Sequence, residues 1–286
     1  MSTLHPVGPQ GPVLVLGGTG KTGRRVVDRL RARGVPVRVG SRSGVPPFDW
    51  NDPATWEPVL RGASAAYVCY SPDVAVPGAA RAIAAFSELA VASGTRRLVL
   101  VSGRGEEEAE RSEEALAESG ADWTIVRCSF FMQNFDEGEF LGPLLAGELA
   151  LPADRVAEPF VDAGDIADVA VAALTDSGHT GQLYEVTGPR LLRFDEAVAE
   201  IARASGRSIR YRRVSNDEFT TGLAAASVPD DLVTLLGYLF ATVFDGRNAR
   251  VADGVQRALG RPPRDFGEYA RIAAATGVWD TARAAA

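Results

Sequence analysis

The chain has 286 residues, 46% apolar and 23% charged, enough to bury a full core as one large domain with a smaller one appended. A formal net charge of −7 argues against a nucleic-acid surface, and no basic cluster beside an apolar run suggests membrane docking. No signal-like leader opens the chain and no apolar run approaches the roughly 18 residues that span a bilayer, so a cytoplasmic location is expected.

Apolar strands are expected at 13–17, 35–40, 65–70, 97–102, 123–128 and 183–187. Helices fit between them at 22–33, 53–61, 77–93 and 105–119, closed in turn by Gly34, Gly62, Gly94 and Gly120. A further helix runs over 165–174. Strands alternating with helices predict an α/β fold, a doubly wound parallel Rossmann sheet over residues 1–190. Past Gly188 the rhythm changes to a helix at 194–205, a short strand at 208–214 and several more helices, including the apolar stretch 232–244. This predicts a smaller, mostly helical substrate-binding lid over 191–286. No repeat or low-complexity linker interrupts the chain, and disorder is expected only in the first ten and last few residues. In 206–213 Ile209 and Tyr211 alternate with Arg210 and Arg212, which fits a strand with solvated arginines better than an anion site.

The chemistry begins in V-L-V-L-G-G-T-G-K-T-G-R, where Gly17, Gly20 and Gly23 keep a G-x-x-G-x-x-G spacing between a strand and a helix carrying Val26, Val27 and Leu30. Such glycines let the backbone turn tightly, approach a pyrophosphate and pack on the sheet, and the helix N-terminus favours the anion. Thr19, Lys21 and Thr22 belong to the same loop. A Walker phosphate loop would need glycine where Val15 stands. Lys21 is the only lysine, beside twenty-nine arginines, so the Tyr-x-x-x-Lys pair of most short-chain dehydrogenases cannot be formed. The second strand ends Ser41-Arg42-Ser43 where an NAD reader would carry Asp or Glu. Arg42 and two hydroxyls suit a 2′-phosphate, favouring NADP(H) over NAD(H), although Arg42 is also compatible with simple solvation. Asp49, after a short third strand, is placed to hydrogen-bond an adenine amino group with Trp50 beside it; capping near Asp52 is the alternative.

G-G-T-G-K-T-G-R, Ser-Arg-Ser, L-V-L-V-S-G at 98–103, W-T-I-V-R-C-S-F-F-M-Q-N-F at 123–135 and P-F-V-D-A-G-D-I-A-D-V-A at 159–170 together resemble the NmrA-like branch of atypical short-chain dehydrogenases/reductases. E-V-T-G-P-R-L-L-R-F-D-E-A-V-A-E-I at 185–201, with F-F-M-Q-N-F, looks closest in type to the ergot-alkaloid (festuclavine and agroclavine) reductases. The resemblance implies an oxidoreductase of secondary metabolism with NAD(P)H held by the glycine loop, by Ser41 and Arg42, and by Cys69, Tyr70 and Ser71. It puts the nicotinamide near Ser102, Cys128 and Ser129, with Phe130, Phe131, Met132 and Asn134 facing a small aromatic or heterocyclic substrate. Phe130, Phe131 and Met132 also suit a core. Ser102 and Asn134 are the candidate catalytic groups, as neutral hydrogen-bond donors. An iminium, a quinone or a phenol-flanked ketone would suit a site lacking the acid/base pair. The alternative is a dinucleotide-binding redox sensor without turnover. Where many relatives carry a lysine, this chain has Arg111 in an acidic run, 106–114, read as a solvated helix start with Glu107 and Arg111 at i,i+4 spacing.

Other chemistries are excluded more directly. His5 lies in the N-terminal tail and His179 in a turn, and with two distant cysteines they cannot build a zinc site, so no metal is expected. Cys69 and Cys128 fall at ends of strands two positions apart, about 9–10 Å, beyond the roughly 7 Å reach of a disulfide. No hydrolase elbow appears. Asp162, Asp165 and Asp168 read as helix capping and dipole pairing. The expected partner is a small molecule, with no nucleic acid and no membrane; oligomeric state is left open, a homodimer included.

Overall fold

A computed structural model describes residues 11–153 and 156–281. His5 and the tails expected to be disordered lie outside them, apart from Thr281, which the structure describes in helix. The first elements are β1 (Val13–Leu16), α1 (Lys21–Ala32), β2 (Val37–Gly40), α2 (Trp56–Leu60), β3 (Ala65–Val68), α3 (Ala79–Ala92), β4 (Arg97–Gly103), α4 (Glu107–Glu118) and β5 (Asp122–Cys128). There follow α5 (Leu141–Ala146), β6 (Glu148–Leu151), β7 (Ala157–Glu158), α6 (Ala163–Thr175), β8 (Gln182–Val186), β9 (Leu192–Arg193), α7 (Phe194–Ser205), β10 (Arg210–Arg213), α8 (Asn216–Ala225), α9 (Asp230–Tyr238), α10 (Gly254–Leu259) and α11 (Phe266–Ala275). A π-helical turn over Leu239–Val243 extends α9, so the apolar stretch 232–244 is helical as expected.

Six strands form one parallel sheet in the order β2-β1-β3-β4-β5-β8. Each of the six expected strands is present. The short third strand placed before Asp49 is not: residues 44–50 form a turn, and Asp49 makes only an isolated bridge to Asp52. Continuous burial of Val13–Leu16 and Ala65–Val68 follows from a parallel sheet covered on both faces. Helices α1, α3 and α4 each lay one apolar stripe on it, Val26, Val27 and Leu30 in the first. The glycines expected to close these helices do so: Gly34, Gly94 and Gly120 all have φ near +70 to +90°, where a side chain would be strained.

Contacts divide the chain into two compact units. The first runs up to Cys128 and resumes over Ala163–Val186 and Asp253–Arg261; the second comprises Ser129–Asp162, Thr187–Ala252 and Pro262 onward. The chain thus passes between units several times, not once near residue 190. The second unit holds α5, α7, α8, α9, α11 and two small two-stranded sheets, β10-β6 and β7-β9. Its core is aromatic, with Phe135, Phe160, Phe194, Phe266 and Trp279 almost completely buried. Arg210 and Arg212 do sit on a strand, but ion pairs to Glu148 and Glu218 hold them where free solvation was expected. Among the described residues no helix is long and apolar enough to cross a membrane.

Candidate functional site

In a doubly wound sheet, ligands bind at the carboxyl ends of the strands, where β1, β2, β3, β4 and β5 here deliver Gly17, Ser41, Cys69, Ser102 and Cys128. Gly17 has φ +63°, a left-handed conformation. A Cβ on Gly23 would collide with the Gly17 carbonyl oxygen, so the third glycine lets α1 close onto the loop. At Gly20 a Cβ would come 3.3 Å from that oxygen, which is tight but tolerable. Thr19 and Gly20 are exposed, and Thr22 is buried where its hydroxyl receives the Tyr67 O–H at 2.8 Å.

No side chain caps the N-terminus of α1, and no acidic residue stands in its first turn. A helix of twelve residues with its N-terminus open and a glycine cradle before it fits a dinucleotide pyrophosphate. Arg42, two residues past β2, is exposed and has no partner among the described residues. By contrast Arg38, on β2 itself, is spent on the carbonyls of Val59 and Arg61. The turn carrying Arg42 is fixed by Ser41, whose carbonyl accepts from Gly44 and Phe48 N–H at 3.0 and 2.9 Å.

The Asp49 carboxylate accepts from Asn51 N–H at 2.9 Å and its backbone carbonyl accepts from the Trp56 indole at 2.8 Å, while Asp52 caps Ala54. Trp50 is almost buried among Phe48, Trp56, Tyr70 and Phe86, and its indole N–H reaches the Cys69 carbonyl at 3.1 Å. Asp49, Trp50, Cys69 and Tyr70 are therefore brought together, held largely by local hydrogen bonds and ring packing. Ser71 is exposed.

Ser102 is 4% exposed and its hydroxyl has no partner. Both cysteines are free thiols; burial pushes Cys69 up to about 11, with Asp73 adding to it, and raises Cys128 as well, so both are protonated and inert at neutral pH. The acidic run after β4 is only partly solvated. Glu107 pairs with Arg111 as its spacing predicts, but Glu113 is buried and doubly bonded to Arg127, with Nε to Oε1 at 2.9 Å. Arg127 and Arg104 both reach Glu185 on β8, at 3.5 and 3.6 Å. Glu106 is buried too, and Asp73 lies near enough to act on its charge. Neither acid was singled out from the sequence. The signal was there: Glu106, Ala109, Glu113 and Leu116 share one helical stripe.

In the second unit, Ser129 donates to the Pro159 carbonyl at 2.6 Å. Of the two readings of the neighbouring residues, Met132 is fully buried core and Phe130 packs against Phe140, Phe160, Phe194 and Phe244 at 5.3–6.0 Å. Phe131, bridged to Val161, and Asn134 remain half-buried. A separate cleft of about 330 Å³ opens among Phe140, Leu149, Val214, Phe219, Leu223 and Leu236, and none of Phe130, Phe131, Met132 or Asn134 lines it.

The aspartates at the start of α6, read from the sequence as capping and dipole-pairing groups, pair with arginines: Asp165 with Arg261 at 2.7 Å, Asp168 with Arg29 and Arg261, and Asp162 with Arg264 at 3.0 Å. No group of residues suited to a metal ion is found among the described residues. His179 hydrogen-bonds the Tyr184 hydroxyl at 2.9 Å, and its carbonyl accepts from Thr124 near the start of β5, away from the ligand edge of the sheet.

The described geometry agrees with three comparisons. A model of an NAD(P)H-binding family matches residues 17–177. An NAD(P)H azoreductase of Xenophilus azovorans is 30% identical over 92% of this chain and 98% of its own. A (4-alkanoyl-5-oxo-2,5-dihydrofuran-3-yl)methyl phosphate reductase of Streptomyces griseus is 33% identical over 90% and 96%, and the agroclavine dehydrogenase of Claviceps fusiformis is 28% identical over 90% and 95%. Among solved structures, an NADPH-dependent quinone oxidoreductase of Escherichia coli superposes with a TM-score of 0.77 at 20% identity over 91% of this chain and 99% of that one. The negative transcriptional regulator Nmra superposes with a TM-score of 0.67 at 17% identity over 94% and 98%. With its glycine cradle, open helix N-terminus and six-stranded parallel sheet, this chain belongs to the NAD(P)H-binding family, in the NmrA-like branch of atypical short-chain dehydrogenases/reductases.

Proposed function

We propose that the chain is an NAD(P)H-dependent oxidoreductase that uses NADPH to reduce a small, planar aromatic or heterocyclic metabolite. The observation that carries the NADPH preference is Arg42, exposed and unpartnered at the end of β2 with hydroxyls on either side and no carboxylate there. Gly17, Gly20 and Gly23 with the open N-terminus of α1 would take the pyrophosphate, and Ser41 and Arg42 the 2′-phosphate. The bound cofactor supplies hydride. Ser102, with its hydroxyl unpaired, would orient the acceptor and donate a neutral hydrogen bond to developing charge, and Asn134 is assigned the same role. Phe131 is the aromatic side chain left available to a planar ring. Iminium ions, quinones and phenol-flanked ketones are the favoured acceptors; the azoreductase relative, 30% identical, supports a reductase reading and adds azo compounds to the acceptors worth testing.

The test is a screen of cyclic iminium ions, quinones, polycyclic ketones and azo dyes, with NADPH oxidation followed at saturating cofactor. Turnover of at least one class, with NADPH preferred over NADH, is the expected result. NADP binding without oxidation of any acceptor, together with a protein partner recovered on the purified chain, would favour the redox-sensor reading.

A further inference from the structure

The second unit contains a hollow that the reading above leaves unused. β6, paired in parallel with β10, supplies Leu149 and Leu151 to it; Phe140 comes from the start of α5, Phe219 and Leu223 from α8, and Leu236 from α9. All of these but Leu223 are buried, yet about 330 Å³ between them is unfilled. Protein interiors are packed like organic crystals and leave few voids larger than a water molecule, so this space is not ordinary core. An apolar cavity of about 150 Å³ takes benzene, so twice that volume takes roughly two fused rings.

One residue of the lining is not explained by packing. Gly222 lies inside α8, where glycine is the least favourable residue after proline, and a Cβ there would meet nothing within 4 Å. Gly237 of α9 is a contrast: its Cβ would come to 3.0 Å from Thr220, so that glycine lets the two helices approach. Gly222 is exposed and lines the cleft, so a side chain on it would stand in the mouth. The chain leaves that entrance open at a cost to the helix.

The charges at the cleft indicate what an occupant carries. Arg212 is engaged twice, its Nε donating to Glu148 and a terminal nitrogen to Glu218, each at 2.7 Å, and Arg210 pairs with Glu148 as well. An anion entering here would have to displace one of those carboxylates. Glu139 is the remaining charge of the lining; it is exposed and has no hydrogen-bond or ion-pair partner among the described residues. A carboxylate left over beside an apolar hollow attracts a cation, while the walls favour an apolar body.

We propose that this cleft is a second small-molecule site, which binds a protonated apolar amine of about two fused rings, its rings against Leu149, Phe219 and Leu236 and its ammonium at Glu139. The site goes beyond the reductase reading, because none of the residues assigned to cofactor or acceptor lines it.

The test titrates cofactor-free protein, labelled with ¹³C at leucine and valine methyls, with molecules of one shape and different charge: 2-aminotetralin, a cation at neutral pH, the neutral 2-tetralol, and tetralin-2-carboxylate. The amine should shift the methyls of Leu149, Leu151, Val214, Leu223 and Leu236. At low salt it should bind at least about threefold tighter than the alcohol and about tenfold tighter than the acid. Glu139→Gln should remove the advantage of the amine and leave the affinity for the alcohol within about twofold. Gly222→Leu should weaken amine and alcohol alike by at least about tenfold while Tm holds or rises, since leucine is the better helix former. Absence of methyl shifts with the amine, equal affinity for all three molecules, or undiminished binding to the Gly222→Leu variant would each overturn the proposal. Neither cofactor nor acceptor is present, so a chain that fails to oxidise NADPH can still show every expected shift, and an active reductase can lack the site.

Discussion

Charge reversal at Arg42 tests cofactor choice without disturbing the fold, because the side chain is exposed and bonded to nothing among the described residues. A hydrogen bond between charged groups contributes about 1.5–3 kcal/mol net, and less where solvent screens it. Two unit charges 4 Å apart in water interact by about 1 kcal/mol, so replacing guanidinium by carboxylate beside a phosphate of nearly two charges converts attraction into repulsion of comparable size. After screening at physiological salt, Arg42→Glu should weaken NADPH binding by about 1.4–2.8 kcal/mol, or roughly 10–100-fold in Kd. NADH, which lacks the 2′-phosphate, should change by less than about twofold. Isothermal titration with both cofactors, repeated at low and physiological salt, reads the difference, and the NADPH penalty should shrink as salt rises. Equal weakening of both cofactors, or of neither, would refute the assignment of Arg42 to the 2′-phosphate.

Gly20→Val should abolish binding of NADPH and NADH alike with little change in Tm, whereas Gly23→Ala should lower Tm as well, because its Cβ has nowhere to go but the Gly17 carbonyl. Circular dichroism melts beside cofactor titrations separate the two. Glu113→Ala leaves Arg127 half-buried with only the longer contact to Glu185, and a loss of about 3–5 kcal/mol in urea unfolding is expected; a loss under 1 kcal/mol would show the pair to be idle. Ser102→Ala and Asn134→Ala should each slow turnover by about 10–10³-fold without abolishing it, while Tyr70→Phe and Tyr184→Phe, whose hydroxyls are assigned no proton transfer, should leave kcat within about threefold. A loss of about 10⁴-fold from either tyrosine alone, with cofactor binding intact, would reveal a general acid. Because the folded carboxyl of Glu106 is raised from 4.5 to about 8, its contribution to stability is complete below pH 4.5 and is lost as pH rises through 8. Glu106→Gln should therefore gain on wild type by about 4 kcal/mol at most between pH 5 and pH 8.5 in urea unfolding; a constant gap would contradict it.

The sheet was legible because a parallel strand buried on both faces, such as Val13–Leu16 or Ala65–Val68, is an unbroken apolar run, and β2, β3, β4 and β5 each follow a glycine in the left-handed region that ends the preceding helical segment. The cofactor loop was legible because its glycines answer to steric demands within seven residues of one another: Gly23 must spare the carbonyl of Gly17. The limits of the units were harder to read. Residues 129–162 follow β5 directly and are rich in phenylalanine, but what that richness packs against is remote: Phe135 and Phe160 pack with Phe194 and Phe266, far along the chain. Likewise α10 returns to the first unit, where Gly254 lies against the backbone of Glu185 so closely that a Cβ would collide with it. Both are close approaches between segments remote in sequence, which no local pattern announces.

The acidic run after β4 shows the same limit in electrostatic terms. Glu106 and Glu113 occupy the buried stripe of α4 with Ala109, Ser112 and Leu116, so periodicity placed them inward while their charge argued for solvent. What decides is the partner. Arg127 lies fourteen residues on, on the neighbouring strand β5, and by taking both oxygens of Glu113 it makes that burial a structural matter. Glu106 has no such partner: its Oε2 is buried without a hydrogen bond among the described residues, and burial, with Asp73 adding to it, pushes its carboxyl up to about 8. Two glutamates seven residues apart are thus buried on different terms, one bonded to an arginine of the neighbouring strand and the other with a carboxyl oxygen that has no partner, and only the residues that the fold places against them distinguish the two.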